Sequence, residues 1–202
     1  MLHQVKSYIK HKINAVDGQG LDSLFASQLY AEVIEPRKQY YIFKELEALR
    51  HSLLTDTREI EVTDFGAGSK IMKGNLRKVA AIAKHSVGGQ NESELLFRLI
   101  AHFQPEVMLE LGTSLGVNSL YQQFANTAGK LISFEGCPHT AKIAQENFQK
   151  FGLKPEVVVG NLDETLIQKV ATLEKLDYVF FDANHQYEPT VRYFETCLTK
   201  AH

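Results

Sequence analysis

Apolar residues recur at helical intervals through the first half of the chain and as short unbroken runs through the second. Val5, Tyr8, Ile9 and Ile13 lie three or four apart and predict a first helix, which Asp17-Gly18-Gln19-Gly20 breaks. Leu21 to Ile34, with Leu24, Phe25, Gln28 and Leu29, predicts a second. Pro36 fits the opening of a third helix over 37–54, because a first-turn proline gives up no needed N–H. Ile42, Leu46 and Leu49 share one side of it. "EIEVTDFGAGSKIMKGNLRK", from 59 to 78, reads as a loop or short hairpin. Two more helices follow, over 75–87 and 91–103. In the latter, Asn91 and Glu94 have the spacing of a capping box.

After Pro105 the pattern changes. "VMLEL", "LISFE", "PEVVVG" and "LDYVFFD" are strand-length apolar runs. Helical patterns follow them near 116–127, 138–151, 163–174 and 188–200. This βαβα order predicts a parallel, Rossmann-like sheet between helices, a three-layer α/β/α architecture. The expected division is a helical N-terminal region over 1–90, with a glycine-containing loop at 62–75, and a sheet domain over 91–202.

Composition narrows the partners more than the fold. With 44% hydrophobic and 23% charged residues and a net charge of −2, the chain has no basic surface for nucleic acid or a polybasic membrane patch. No apolar run approaches the roughly 18 residues of a membrane span, and the first residues lack a signal peptide's apolar core. Cys137 and Cys197 match no metal or redox spacing, so both are read as thiols of a cytoplasmic protein.

Candidate chemistry concentrates at Gly112-Thr113-Ser114-Leu115-Gly116, between the first apolar run and its helix. Its letters fit G-x-S-x-G, a serine-hydrolase elbow with Ser114 as nucleophile and Asp182 and His185 as partners. Against this, the two partners stand three residues apart after one strand, and no HGGG-like segment lies upstream. A nicotinamide loop calls for G-x-G-x-x-G, and the third glycine is missing. A third reading is S-adenosylmethionine (SAM). Glu110 ends the first strand, the glycine loop follows, and Glu135 ends the next strand. Glycines let backbone N–H groups approach a ligand, and a strand-end carboxylate can accept both ribose hydroxyls. "VTDFGAGSK", from Val62, imitates this order, but no second strand with a terminal acid follows. Asp64, Gly66 and Gly68 are therefore read as a surface loop.

"VMLELGTSLGVNSL", "LISFEGCPHTAKIAQENF", "VVVGNLDETL" and "LDYVFFDANHQYEPTVRYFE" together resemble a class I SAM-dependent methyltransferase. Bacterial small-molecule O-methyltransferases are the nearest likeness, and "FFDANHQYE" resembles their "DADHSYE". The resemblance spans roughly residues 60–200. It implies that Glu110 and Gly112, Thr113, Ser114 and Gly116 hold the methionine end of SAM. Glu135 would bind the ribose, with Gly136 beside it, and Asn161 and Leu162 would flank the adenine. The family often has Asp where Asn161 stands. Asp182 would lie near the transferred methyl, with Asn184 and His185 close by; Asp182 and His185 are the catalytic candidates. His185 equally suits a helix cap or a partner for Asp182, and Tyr187 is read as packing. No metal-ligand set is identified, and the resemblance implies a small-molecule methyl acceptor.

The class implied by this resemblance has a longer sheet than the four strands found. "LDYVFF" would then be an apolar edge without proline or lysine. The expectation is a shortened product, or half of an assembly that completes the sheet. A homodimer through the N-terminal helices or this edge would fit, and so would a SAM-binding protein without catalysis.

Overall fold

The computed structural model describes residues 2–14, 23–35, 37–63 and 75–202. Pro36, the Asp17–Gly20 break and most of the glycine-containing loop, Asp64, Gly66 and Gly68 included, lie outside them. The chain divides into two compact units at Lys38/Gln39.

The first unit holds α1 (Leu2–Asn14) and α2 (Leu24–Leu29), which continues as one π-helical stretch over Tyr30–Ile34. Ser23 caps α2 by accepting from the Ala26 N–H. Val33 is buried, whereas Val5, Tyr8, Ile9 and Ile13 leave the apolar stripe of α1 exposed.

The second unit begins with α3 (Tyr41–Leu54). This helix starts later than expected from 37, because Arg37 takes a left-handed backbone (φ 41°) and Tyr40 is extended. Strands β1 (Glu59–Glu61) and β2 (Leu76–Lys78) pair antiparallel, as a hairpin reading requires. Helix α4 (Val79–Ser86) is correspondingly shorter than the 75–87 expected. In α5 (Gln90–Phe103) the cap sits two residues early: Glu92, not Glu94, accepts from the Gly89 N–H at 2.8 Å. Glu94 is instead buried against Arg98 and Gln90.

Then come β3 (Val107–Leu111), α6 (Val117–Ala125), β4 (Lys130–Glu135), α7 (Pro138–Lys150), β5 (Glu156–Val159), α8 (Leu162–Ala171), β6 (Tyr178–Phe181) and α9 (Tyr187–Leu198). The four longer-range strands are all parallel, in the order β5-β4-β3-β6. Leu109 stands opposite Ile132 on one side and Val179 on the other. Leu109, Leu111, Ile132 and Phe134 pack on Leu166, Val170, Tyr193 and Cys197 of α8 and α9. Met108 and Leu131 face the other way, toward Ile100 of α5. On that side α3, α4, α6 and α7 share one core built on Leu46, Val79, Leu120, Tyr121 and Ala144. This corrects the expected boundary near 90: α3 and α4 bury their apolar faces in the sheet domain's core.

The edge also differs in detail. Along Tyr178–Phe181, β6 is paired only with β3 among the described residues. Helix α9 stops at Leu198, short of the expected 200, and the chain then lies alongside the start of β6. The Leu176 N–H donates to the Lys200 carbonyl (2.7 Å), and the His202 N–H donates back to Leu176 (3.2 Å). Residues 200–202 thus begin a parallel pairing where no fifth strand was expected. No helix of the described residues is long and apolar enough to cross a membrane.

Candidate active site

Strand order fixes where a site belongs. From β3 the chain crosses to β4 and β5 on one side and to β6 on the other, so the switch point lies between β3 and β6. Ligands of open α/β sheets bind at the carboxyl ends of the strands there. Gly112 and Asp182 sit side by side at that point. The Asp182 N–H donates to the Leu111 carbonyl (2.9 Å), and a Cβ on Gly112 would fall 2.5 Å from the Asp182 carbonyl oxygen. Gly112 has φ 107°, so the close approach and the backbone conformation both require glycine.

The loop is held from its β4 side. The Gly112 and Thr113 N–H groups donate to the Phe134 carbonyl, at 3.0 and 2.9 Å. Glu135 then bridges two turns: Oε2 accepts from the Ser114 N–H (2.8 Å) and Oε1 from the Cys137 N–H (2.9 Å). Gly136 lies between the two ends of this bridge, half-buried. The Gly160 N–H donates to the Glu135 carbonyl, drawing the turn after β5 to the same place. Asn161 caps α8 by accepting from the Asp163 N–H (3.1 Å), and Leu162 opens the helix. The Gly160 bond thus brings the turn that carries Asn161 and Leu162 to Glu135 by backbone connection.

Two expected residues face elsewhere. Gly116 caps α6 at φ 79°, and a Cβ there would strike the Phe148 ring at 2.6 Å. It lets α6 pack against α7 and is not open to a ligand. Glu110 alternates with Leu109 and Leu111, so it points into the α6 layer and is fully buried. Gln122 Nε2 and Ser133 Oγ each donate to it at 2.5 Å, and Ser119 Oγ also donates. The Ser133 and Thr113 hydroxyls are 2.5 Å apart, so Glu110 supports the loop from beneath and does not reach a ligand.

Burial pushes the Glu110 pKa up to about 7; the Ser119, Ser133 and Gln122 hydrogen bonds oppose this, and nearby Asp182 adds to it. An unfolded glutamate releases its proton near 4.5. Between these values the folded chain keeps a proton that the unfolded chain has lost. This contribution to stability is fully present below about 4.5 and is lost as pH rises through about 7. Glu110→Gln should remove that slope. Thermal midpoints of both proteins from about pH 5 to about pH 8 test this: parallel curves would mean that Glu110 ionises normally.

Asp182 is half-buried, and its carboxyl is raised above its ordinary pKa by burial. Glu92 adds to the rise and His185 opposes it. Glu92, at the start of α5, is a neighbour of the site that the sequence did not suggest. Arg50 of α3 steadies the turn before it, donating to the Gly88 carbonyl and to Ser93 Oγ. His185 and Tyr187 are both exposed, so Tyr187 does not pack as expected. Asn184 adopts φ 54° and leaves Oδ1 buried and without a partner. Ser114, at φ 49°, likewise leaves Oγ buried and unpaired. Among the described residues no base contacts the Ser114 hydroxyl, so the elbow reading lacks its activating hydrogen bond.

Comparison with known proteins agrees with this geometry. Residues 109–202 match the family model described as a methyltransferase domain. No curated protein matches the chain. Among solved structures it is similar to an SAH-bound methyltransferase of Podospora anserina: 15% identity, TM-score 0.59, 89% of this chain and 65% of that one. It is also similar to an O-methyltransferase of Bacillus cereus in complex with SAH: 19% identity, TM-score 0.57, 87% and 67% covered. The third is TomG of Streptomyces achromogenes, an O-methyltransferase of tomaymycin synthesis in complex with SAM: 20% identity, TM-score 0.53, 87% and 66% covered. The chain thus spans about two thirds of the length of these structures, 65% of the first. Residues 109–202 are thus similar to a methyltransferase domain, and the chain has the Rossmann-like fold seen in these methyltransferase structures.

Proposed function

We propose that the chain is a SAM-dependent methyltransferase acting on a small-molecule acceptor, at oxygen. One observation carries the reading: the Glu135 carboxylate, fixed between the Ser114 and Cys137 N–H groups beside the switch point of the sheet. The residues present fit the cofactor. Glu135 presents at a strand end a carboxylate of the kind that accepts ribose hydroxyls, and Gly112 keeps the mouth between β3 and β6 free of side chain. Ser114 Oγ and Asn184 Oδ1 are buried polar atoms that lack partners until a ligand supplies them. In this reading Gly112, Thr113 and Ser114 line the methionine end, and Asn161 and Leu162 the adenine. The O-methyltransferases of similar fold crystallised with SAM or SAH support it.

SAM supplies an electrophilic methyl group on a sulfonium, and the protein's work is alignment and proton handling. Burial and Glu92 make Asp182 a stronger base than an exposed aspartate. In this reading Asp182, half-buried, takes the acceptor's hydroxyl proton at its carboxylate, and exposed His185 passes it to solvent. Buried, unbridged Cys137 and Cys197 suit a cytoplasmic setting. The exposed stripe of α1 and the open side of β6 suit self-association.

Calorimetric titration of SAM and SAH into the purified chain tests the proposal. Micromolar binding of both is the expected result. A folded protein that takes up neither would sink the reading.

A further inference from the structure

Tyr193 of α9 is 4% exposed, its ring set among Leu166, Val170 and Cys197. Its hydroxyl joins three elements. It donates to Asp163 Oδ1 of α8 at 2.9 Å and accepts from Asn184 Nδ2 at 3.3 Å. The same Asp163 oxygen takes the Arg192 guanidinium at 2.7 Å, and the Asp163 N–H is tied to Asn161. One side chain therefore links the turn after β6 to the start of α8, the two regions placed above at the methyl and the adenine.

The order of donors in this chain follows from chemistry. An ionised Asp163 only accepts, so Tyr193 must give it the single hydroxyl proton. The phenol oxygen then has only lone pairs left and must face a donor. Of the two ends of the Asn184 carboxamide, only Nδ2 is one. Oδ1 is thereby turned away, and it is the atom that is buried without a partner. Asn184, two residues after Asp182, has a left-handed backbone, which asparagine tolerates better than most residues.

We propose that Tyr193 is a positioning residue: through it, Asp163 dictates which end of the Asn184 carboxamide faces the cofactor site. The group that Asn184 receives there is a hydrogen-bond donor, a hydroxyl or an ammonium. This rests on the methyltransferase reading.

The test uses the full chain labelled with nitrogen-15 at asparagine, with the Asn184 side-chain amide identified by its loss in Asn184→Asp. In Tyr193→Phe the ring stays and only the hydroxyl goes, so packing is preserved. The Asn184 amide pair should move toward the position of a solvent-exposed carboxamide, and SAH should bind about threefold to tenfold more weakly. Asp163→Asn is a second variant. Its own amide can donate to the phenol oxygen, freeing the hydroxyl proton for Asn184, so the same resonances should move while the fold is kept. Unmoved resonances in both variants would overturn the proposal, as would unchanged SAH affinity in both. Failure of the wild-type chain to bind SAH would instead strike the methyltransferase reading, and the amide measurement would still report on the linkage.

Discussion

Gly112→Ala should lower the thermal midpoint by roughly 10 °C and abolish SAH binding. The added Cβ would lie 2.5 Å from the Asp182 carbonyl oxygen and 3.0 Å from its carbon. Both are backbone atoms of a strand end, held in place by the Asp182 N–H donated to Leu111. Relief therefore requires β3 and β6 to part at the switch point, or Gly112 to leave φ 107° and give up its bond to Phe134. Overpacking of this kind costs about 1–3 kcal/mol and an unfavourable φ a further 1–2 kcal/mol. About 3 kcal/mol in a unit of this size corresponds to that shift in midpoint. Gly152→Ala is the control: it too has positive φ (67°), but nothing lies within 4 Å of its Cβ. It should show the backbone cost alone, close to 1 kcal/mol. Equal effects at the two positions would mean that contact with Asp182 does not constrain Gly112.

The strands around this contact were legible because a parallel sheet covered on both faces is written in nearly unbroken apolar runs. The same property hid the orientation of Glu110. In a half-exposed strand, alternation of polar and apolar residues announces which face each position addresses. In "VMLEL" only the acid itself breaks the run, and its place at the strand's end suggested a ligand role. The signal that would have corrected this lay elsewhere. Ser119 and Gln122, three apart on α6, and Ser133 in β4 are polar residues on otherwise apolar inward faces. Polar atoms in such positions need a buried partner, and Glu110 is that partner.

The N-terminal helices show a different limit. Ile42, Leu46 and Leu49 gave α3 correctly as an amphipathic helix, but periodicity says nothing about which surface the apolar side meets. That side packs with α4 and α6 on the sheet domain, so the unit boundary lies near Lys38 and not near 90. Glu92 became a neighbour of Asp182 by the same long-range packing. The Asn184, Tyr193 and Asp163 linkage joins two helices and the turn after β6, and no spacing rule connects its members.

Glu135→Ala should weaken SAH binding about 100-fold, the largest effect on affinity expected from any side chain of the site. Two consequences of the truncation combine. In the proposed reading the ribose hydroxyls lose a charged acceptor, worth about 1.5–3 kcal/mol per hydrogen bond. The Ser114 and Cys137 N–H groups also lose the carboxylate that joins their turns. A pair of substitutions separates the two. Glu135→Gln keeps one acceptor oxygen but presents an amide where the second acceptor was, so it cannot accept from the N–H groups of both turns with separate atoms. Glu135→Asp keeps the charge and shortens the reach by one methylene. If ribose recognition dominates, 5′-methylthioadenosine, which lacks the amino-acid end, should lose as much affinity as SAH in every variant. If bridging of the turns dominates, SAH should lose more, because in the proposed reading Ser114 and its neighbours line the methionine end. Retention of wild-type affinity in Glu135→Ala would remove the observation on which the proposed function stands. A folded protein that binds SAH without Glu135 would place the cofactor elsewhere on the sheet edge.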